Sequence, residues 1–459
     1  MQVKFNWHNL LVFLILIPLF ISSSSYAAEN KVVRMNEVVQ SYVTDKLFMG
    51  SVLVMQNGQV LLNKQYGDAN LEWKIPNSPT TKFRIGSVTK QFTAASILLL
   101  EERGKLKIND PIKKYIPNTP PAWDKITIFN LLTHTSGIPD YAGFPNYNSD
   151  KVIPRTSEKL VAYFRDKPLD FQPGEKWQYS NSGYALLGYL IEIISGQSYK
   201  DFLEENIFKP LNMKDSGYDS NAAIILYRAS GYAPGPNGLL NAPYIDMSNV
   251  VAVGGLYSTT LDLLKWEQGL FAGKILSSAS LKKMITPFKN NYALGLEVQT
   301  VNGRLVISHA GGIEGFGTML MYYPDDKLTI VVMSNIQGGT AYEIAEKLAL
   351  VAHDEKVVLA PKRKEMIVSS KILEKYIGTY QLTSMFVIIT LENGHLMAQA
   401  APNMQVMNVP KVPLFAESET RFSTKGAEVR VDFFKNTQGV VTHLVLHQFG
   451  QDKNGEKIK

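Results

Sequence analysis

The chain has 459 residues, 45% of them hydrophobic, more than one ordinary core holds, which predicts two or three packed units and room for a buried site. It contains no cysteine, so disulfides, thiol catalysis and a lipid-modified cysteine are excluded. The formal charge of +6 is spread rather than clustered, which argues against a nucleic-acid partner.

Residues 1–28 read as an export signal, with Lys4 as the positive start, Leu10 to Ile21 as an apolar run and Ser25-Tyr26-Ala27-Ala28 as small residues for cleavage. That run is shorter than the roughly 20 residues a membrane span needs. A secreted or periplasmic protein with no stable span after cleavage is expected. Val32 to Leu47 then has helical spacing, and Ser51 to Gln56 and Val60 to Tyr66 flank Asn57-Gly58 as a hairpin.

From Ser87 to about Thr286 helical patterns (Thr93 to Arg103, Ser157 to Phe164, Ser182 to Ile194, Leu261 to Leu270) alternate with long loops. Strand signals return at Tyr292 to Val301, Leu305 to Ser308, Thr318 to Tyr323 and Leu328 to Ser334, before a helix at Ala341 to Ala352. The expected fold class is therefore α/β (α+β): one antiparallel sheet flanked by helices, with a mainly helical lobe inserted, spanning residues 29–360. Residues 361–370 read as a polar linker. Short alternating strands in 371–459, among them Met385 to Leu391, His395 to Ala400, Glu428 to Phe434 and Val440 to Phe449, suggest an appended all-β barrel.

Ser87 stands three residues before Lys90, so a hydroxyl and an amine share one helical face. Ser-x-x-Lys alone is weak, since roughly two matches arise by chance in such a chain. The second match, Ser280 to Lys283, lies in a polar stretch where Ser280 reads as an N-cap or turn residue and its lysine stays hydrated. Ser87 differs because Phe92 to Leu100 is apolar on nearly every side, which would desolvate Lys90 and lower its pKa toward that of a base. A plain N-cap with a snorkelling lysine stays open on these residues alone.

Two further elements point the same way. Tyr179-Ser180-Asn181 holds the only Tyr-x-Asn among 22 tyrosines, offering a phenol that is held as phenolate or relays a proton and an amide that can bind a substrate carbonyl. His309-Ala310-Gly311-Gly312 allows close substrate approach to backbone, with a free N–H there completing an oxyanion hole with that of Ser87. Tyr141, Phe144, Pro145 and Tyr147 either line an acyl pocket or pack their loop onto the body.

The order Ser87-x-x-Lys90, Tyr179-x-Asn181, His309-x-Gly311 resembles the class C β-lactamase and D,D-peptidase (penicillin-binding-protein-like) family of serine hydrolases. Leu131 to Gly137, Phe171 to Asn181, Pro210 to Met213 and Gly254 to Ser258 also look like its signatures, and the tail resembles the lipocalin-like domain of some members. The resemblance implies acylation of Ser87, with Lys90 and Tyr179 sharing the roles of base and acid. It further implies that Asn181 holds the substrate amide and that Ser87 and Gly312 donate N–H groups to the oxyanion, with no metal and no cofactor. Many members carry Lys-Thr-Gly in the third motif. His309 and Ala310 replace its charge and hydroxyl, so weak recognition of a carboxylate and weak or absent β-lactamase activity are expected. The partner is then a small-molecule or peptide acyl substrate.

Rival readings are thinner. No Gly-x-Ser-x-Gly elbow occurs, His134 reads as a structural histidine, and His443 and His447 in one strand lie too far apart to share a metal. A non-hydrolytic penicillin-binding or acyl-sensing protein with a partner-binding β domain is the alternative of a different class.

Overall fold

The computed structural model describes residues 23–235, 238–357, 359, 366–382, 385–401, 411–424, 429–448 and 451–459. Most of the predicted export segment (1–22), the first half of the predicted linker (361–365) and the outer ends of two predicted barrel strands (Glu428, Phe449) lie outside the described residues.

A six-stranded antiparallel sheet forms the frame. Strands β1 (Gly50–Gln56) and β2 (Gln59–Tyr66) are the predicted hairpin, with Asn57 at φ 49° and Gly58 at φ 83°, the left-handed pair that a two-residue turn needs to match strand twist. Strands β3 (Glu297–Val301), β4 (Arg304–Ile313), β5 (Phe316–Tyr323) and β6 (Leu328–Ser334) complete the order β3-β4-β5-β6-β1-β2.

Alternate residues serve the two faces, as the strand period requires. Val52, Val54, Ile330 and Val332 face a core built with α1 (Ser23–Thr44) and the C-terminal helix Thr340–Ala352. Leu53, Met55, Val331 and Met333 face the inserted helical lobe. The central element of that lobe is α2 (Thr89–Glu102), buried from Thr89 to Leu100. Among described residues no helix is long and apolar enough to cross a membrane.

Several elements differ from the sequence reading. The strand expected from Tyr292 begins only at Glu297, because Asn290, Asn291 and Gly295 have positive φ. The strand signal at Leu305 to Ser308 runs on through His309 to Gly312, which continue β4 against β5. Ser280 is not the N-cap of its helix; Ser277 is, accepting from the Ser280 N–H at 3.3 Å. The tail, by contrast, is the expected all-β barrel, closed and antiparallel with eight strands from Gly378–Gln381 to Gln451–Lys457.

Candidate active site

Ser87 lies in the 3-10 turn Gly86–Val88 that leads into α2, and no side chain caps that helix. The turn sits directly on β4. A Cβ on Gly86, at φ 51°, would lie 2.7 Å from the Gly312 nitrogen, and one on Gly311 would lie 2.0 Å from the Ile85 carbonyl oxygen and 3.2 Å from the Ser87 nitrogen. Only paired glycines allow this approach, and it sets Ser87 beside Gly312. Both residues line a cleft of about 440 Å³ together with Asn181.

Lys90, one turn further on, has no solvent exposure. Its Nζ lies 3.1 Å from Ser87 Oγ, 3.0 Å from Asn181 Oδ1 and 3.0 Å from the Val253 carbonyl oxygen. Burial lowers its pKa to about 7, against a smaller upward pull from Asp140. A neutral amine has two N–H groups and one lone pair. The Val253 carbonyl oxygen and Asn181 Oδ1 only accept, so they take the two hydrogens, and the lone pair is left facing the Ser87 hydroxyl. Chemically this is a serine hydrogen-bonded to a base.

The Tyr179 ring centroid lies 4.8 Å from Lys90 Nζ. Burial raises the Tyr179 pKa, with only partial relief from the nearby Ser87 hydroxyl. The phenol therefore keeps its proton at neutral pH. Of the two roles open from sequence, the relay fits and the phenolate does not.

Asn181 opens the helix Asn181–Ser195, where its backbone N–H and Nδ2 donate to Asp140 at 3.1 and 3.2 Å. One of the two Nδ2 hydrogens is left for the cleft. His309 is buried, and its Nδ1 lies 2.6 Å from the Ala310 carbonyl oxygen, which only accepts, so Nδ1 carries the proton and Nε2 accepts from the Tyr292 hydroxyl at 3.0 Å. Burial lowers its pKa to about 3, reinforced by Lys90. The imidazole is neutral far below pH 7. His134 is likewise buried, accepting from the Ser180 N–H at Nδ1 over 3.2 Å, with its ring 4.3 Å from that of Tyr179.

Tyr141 and Tyr147 line the cleft, Tyr141 also donating to the Asn249 carbonyl, whereas Phe144 packs on Tyr163. The other Ser-x-x-Lys behaves differently: Lys283 is half exposed and ion-paired to Glu101 at 2.8 Å. In the barrel, His447 pairs with Asp432 and Asp452, and His443 stacks on Phe434. Sequence reasoning missed Asp140, Val253 and Tyr292. Val253 acts through its carbonyl, which no side-chain pattern reports, although Gly254 beside it belongs to a motif singled out above.

Residues 35–354 match the family described as Beta-lactamase, and residues 362–457 match one described as a domain of unknown function. Penicillin-binding protein 4* of Bacillus subtilis (strain 168) is 31% identical over 443 residues, covering 90% of this chain and 95% of that protein. The putative penicillin-binding protein PbpX of the same organism is 33% identical over 311 residues, 67% of this chain and 76% of that one. Among solved structures, a penicillin binding protein from Bacillus halodurans has a TM-score of 0.62 at 28% identity, over 68% of this chain and 98% of that one. The octameric penicillin-binding protein homologue from Pyrococcus abyssi has a TM-score of 0.63 at 25% identity, over 95% of this chain and 100% of that one.

Proposed function

The chain belongs to the beta-lactamase family, and on that premise we propose that it is an exported serine hydrolase that cleaves amide or ester bonds through an acyl group on Ser87. One observation carries this reading: the amine of Lys90 is buried, which lowers its pKa to about 7, and lies 3.1 Å from Ser87 Oγ. Ser87 Oγ attacks the substrate carbonyl carbon as its proton passes to Lys90 Nζ. The oxyanion forms between the Ser87 and Gly312 N–H groups. Collapse breaks the C–N or C–O bond, the leaving group takes the proton through Tyr179, and water then releases the acid by the same steps. Asn181 Nδ2 offers its remaining hydrogen to the substrate amide.

Fluorophosphonate labelling tests this directly. Label is expected on wild type and on Ser280→Ala, none on Ser87→Ala, and label slowed at least about 100-fold on Lys90→Ala. Label retained by Ser87→Ala would refute the nucleophile. A second reading, in which Ser87 is acylated and then holds its acyl group, draws on the names of both relatives, which call them penicillin-binding. Product release beyond one equivalent per enzyme separates turnover from trapping.

The substrate end is read from charge. Among the residues lining the cleft the only charged one is Glu314, already paired to Lys151 at 2.7 Å, and His309 is neutral. Among the described residues nothing cationic on that wall receives a carboxylate, which supports weak recognition of a free carboxylate and weak or absent β-lactamase activity. Consider a carboxylate-bearing substrate and its neutral ester compared between pH 5 and 7.5. The ratio of their kcat/KM values is expected to stay flat, because Lys90 affects both alike and His309 charges only near pH 3. A ratio that climbs toward pH 5 would show that His309 is the missing cation.

The proposed domain limits are 29–360 for the hydrolase and 371–459 for a lipocalin-like unit, which the closed eight-stranded barrel supports. Export rests on the Leu10 to Ile21 pattern, and a secreted or periplasmic protein beginning at Glu29 is the result that N-terminal sequencing should give.

A further inference from the structure

Asp140 is a carboxylate that the reaction above does not use. It ends the Thr133 to Pro139 loop and caps the 3-10 turn Tyr141–Gly143, its Oδ1 accepting from the Ala142 N–H at 3.2 Å. The same oxygen accepts from the Asn181 N–H at 3.1 Å, and Oδ2 accepts from Asn181 Nδ2 at 3.2 Å. Asp140 thus meets only donors. Asn181 meets an acceptor on one side, and on the other the amine of Lys90.

A side-chain amide fits its slot in two orientations that differ by exchange of oxygen and nitrogen, and its partners choose between them. In the observed one, Oδ1 takes a hydrogen from Lys90. In the reverse one, an Nδ2 hydrogen would point at Nζ and occupy its lone pair, and Ser87 would lose its proton acceptor. We propose that Asp140 is a positioning residue that locks Asn181 in the orientation that keeps the Lys90 lone pair free for Ser87. The inference rests on the hydrolase reading above and deepens it.

The groups facing Lys90 are limited. They are the phenols of Tyr179 and Tyr184, the imidazoles of His134 and His309 and the carboxyl of Asp140. Burial keeps both phenols protonated and both imidazoles neutral, so Asp140 is the one carboxyl of this group, its own pKa raised by burial against the hydrogen bonds from Ala142 and Asn181 and the charge of Lys90. The phenols of Tyr141 and Tyr147 feel both Asp140 and Glu314.

Asp140→Asn tests the lock without removing the cap. If the new side chain keeps its oxygen on the two backbone N–H groups, its NH2 faces Asn181 and drives that amide to reverse. The double variant Asp140→Asn, Asn181→Asp restores an acceptor toward both the amide introduced at position 140 and Lys90. The readout is the rate of Ser87 labelling by fluorophosphonate from pH 5.5 to 9, with the melting temperature of each variant. Asp140→Asn is expected to fold and to label about 100-fold slower. The double variant should recover at least tenfold of that loss, with its pH limb moved to higher pH because the anion now adjoins Lys90. Wild-type labelling by Asp140→Asn, or a double variant no faster than the single one, overturns the inference while wild-type labelling leaves the hydrolase reading intact. A wild-type protein unlabelled at Ser87 removes that reading, and this inference with it.

Discussion

Replacing Lys90 by methionine is expected to give a protein that hardly acylates yet melts higher than wild type at pH 6. The activity half follows from losing the only base that touches Ser87, worth about 10²–10⁴ in rate. Wild-type acylation should rise with pH through about 7 as the amine gives up its proton, and the residual rate of Lys90→Met should lack that limb. The stability half follows from linkage. The unfolded chain holds the lysine proton up to its ordinary value of 10.5, while the folded chain releases it at about 7. Between these values the unfolded state binds more protons, so wild-type stability climbs with pH across that window and the penalty is complete only below it. A shift of this size corresponds to a penalty on the order of 5 kcal/mol at pH 6. Methionine fills similar volume but forfeits three hydrogen bonds, each worth about 1 kcal/mol. The gain in melting temperature should therefore be modest at pH 6 and should turn into a loss once the pH passes about 8, where the shrinking penalty falls below the lost hydrogen bonds. Melting curves for the two proteins from pH 6 to 11 decide it. Parallel pH dependences would mean that Lys90 is hydrated and charged, and the site would lose its base.

Where one element carried the information, the sequence was readable. Apolar spacing located the helix behind Ser87, because a helix dry on all sides needs Phe92 to Leu100 to be apolar whatever surrounds it. Asn57-Gly58 located the hairpin because the turn demands two positive φ values that few residues adopt. What escaped was set by contacts between distant segments. Asp140 is an unremarkable loop residue until Asn181 is folded 41 positions away against it. Gln451–Lys457 is a barrel strand with no apolar alternation, held by pairing with Val441–Gln448 rather than by its own pattern. The same cause extended β4 through two glycines, residues that weaken a strand unless a neighbour needs the space. Here the neighbour is the turn that carries Ser87.

That crowding yields the second large effect, a contrast between adjacent glycines. Gly311→Ala is expected to lose about 10²–10³ in acylation rate and about 1–3 kcal/mol in stability, because its Cβ would stand 2.0 Å from the Ile85 carbonyl oxygen. The obstacle is backbone, so relief requires β4 and the Gly86–Val88 turn to separate. That movement pulls the Gly312 and Ser87 N–H groups apart, and misplacement of about 1 Å at reacting groups costs about 100-fold. A Cβ on Gly312, by contrast, meets nothing within 4 Å and points into the cleft space. Gly312→Ala should keep the wild-type melting temperature and change KM more than kcat, since it narrows the cleft and leaves the N–H in place. Measuring kcat, KM and melting temperature for both variants separates the two roles. Were Gly311→Ala to keep wild-type kcat, the pressed contact between strand and turn would have no part in holding the oxyanion donors, and Gly86 and Gly311 would be matters of packing alone.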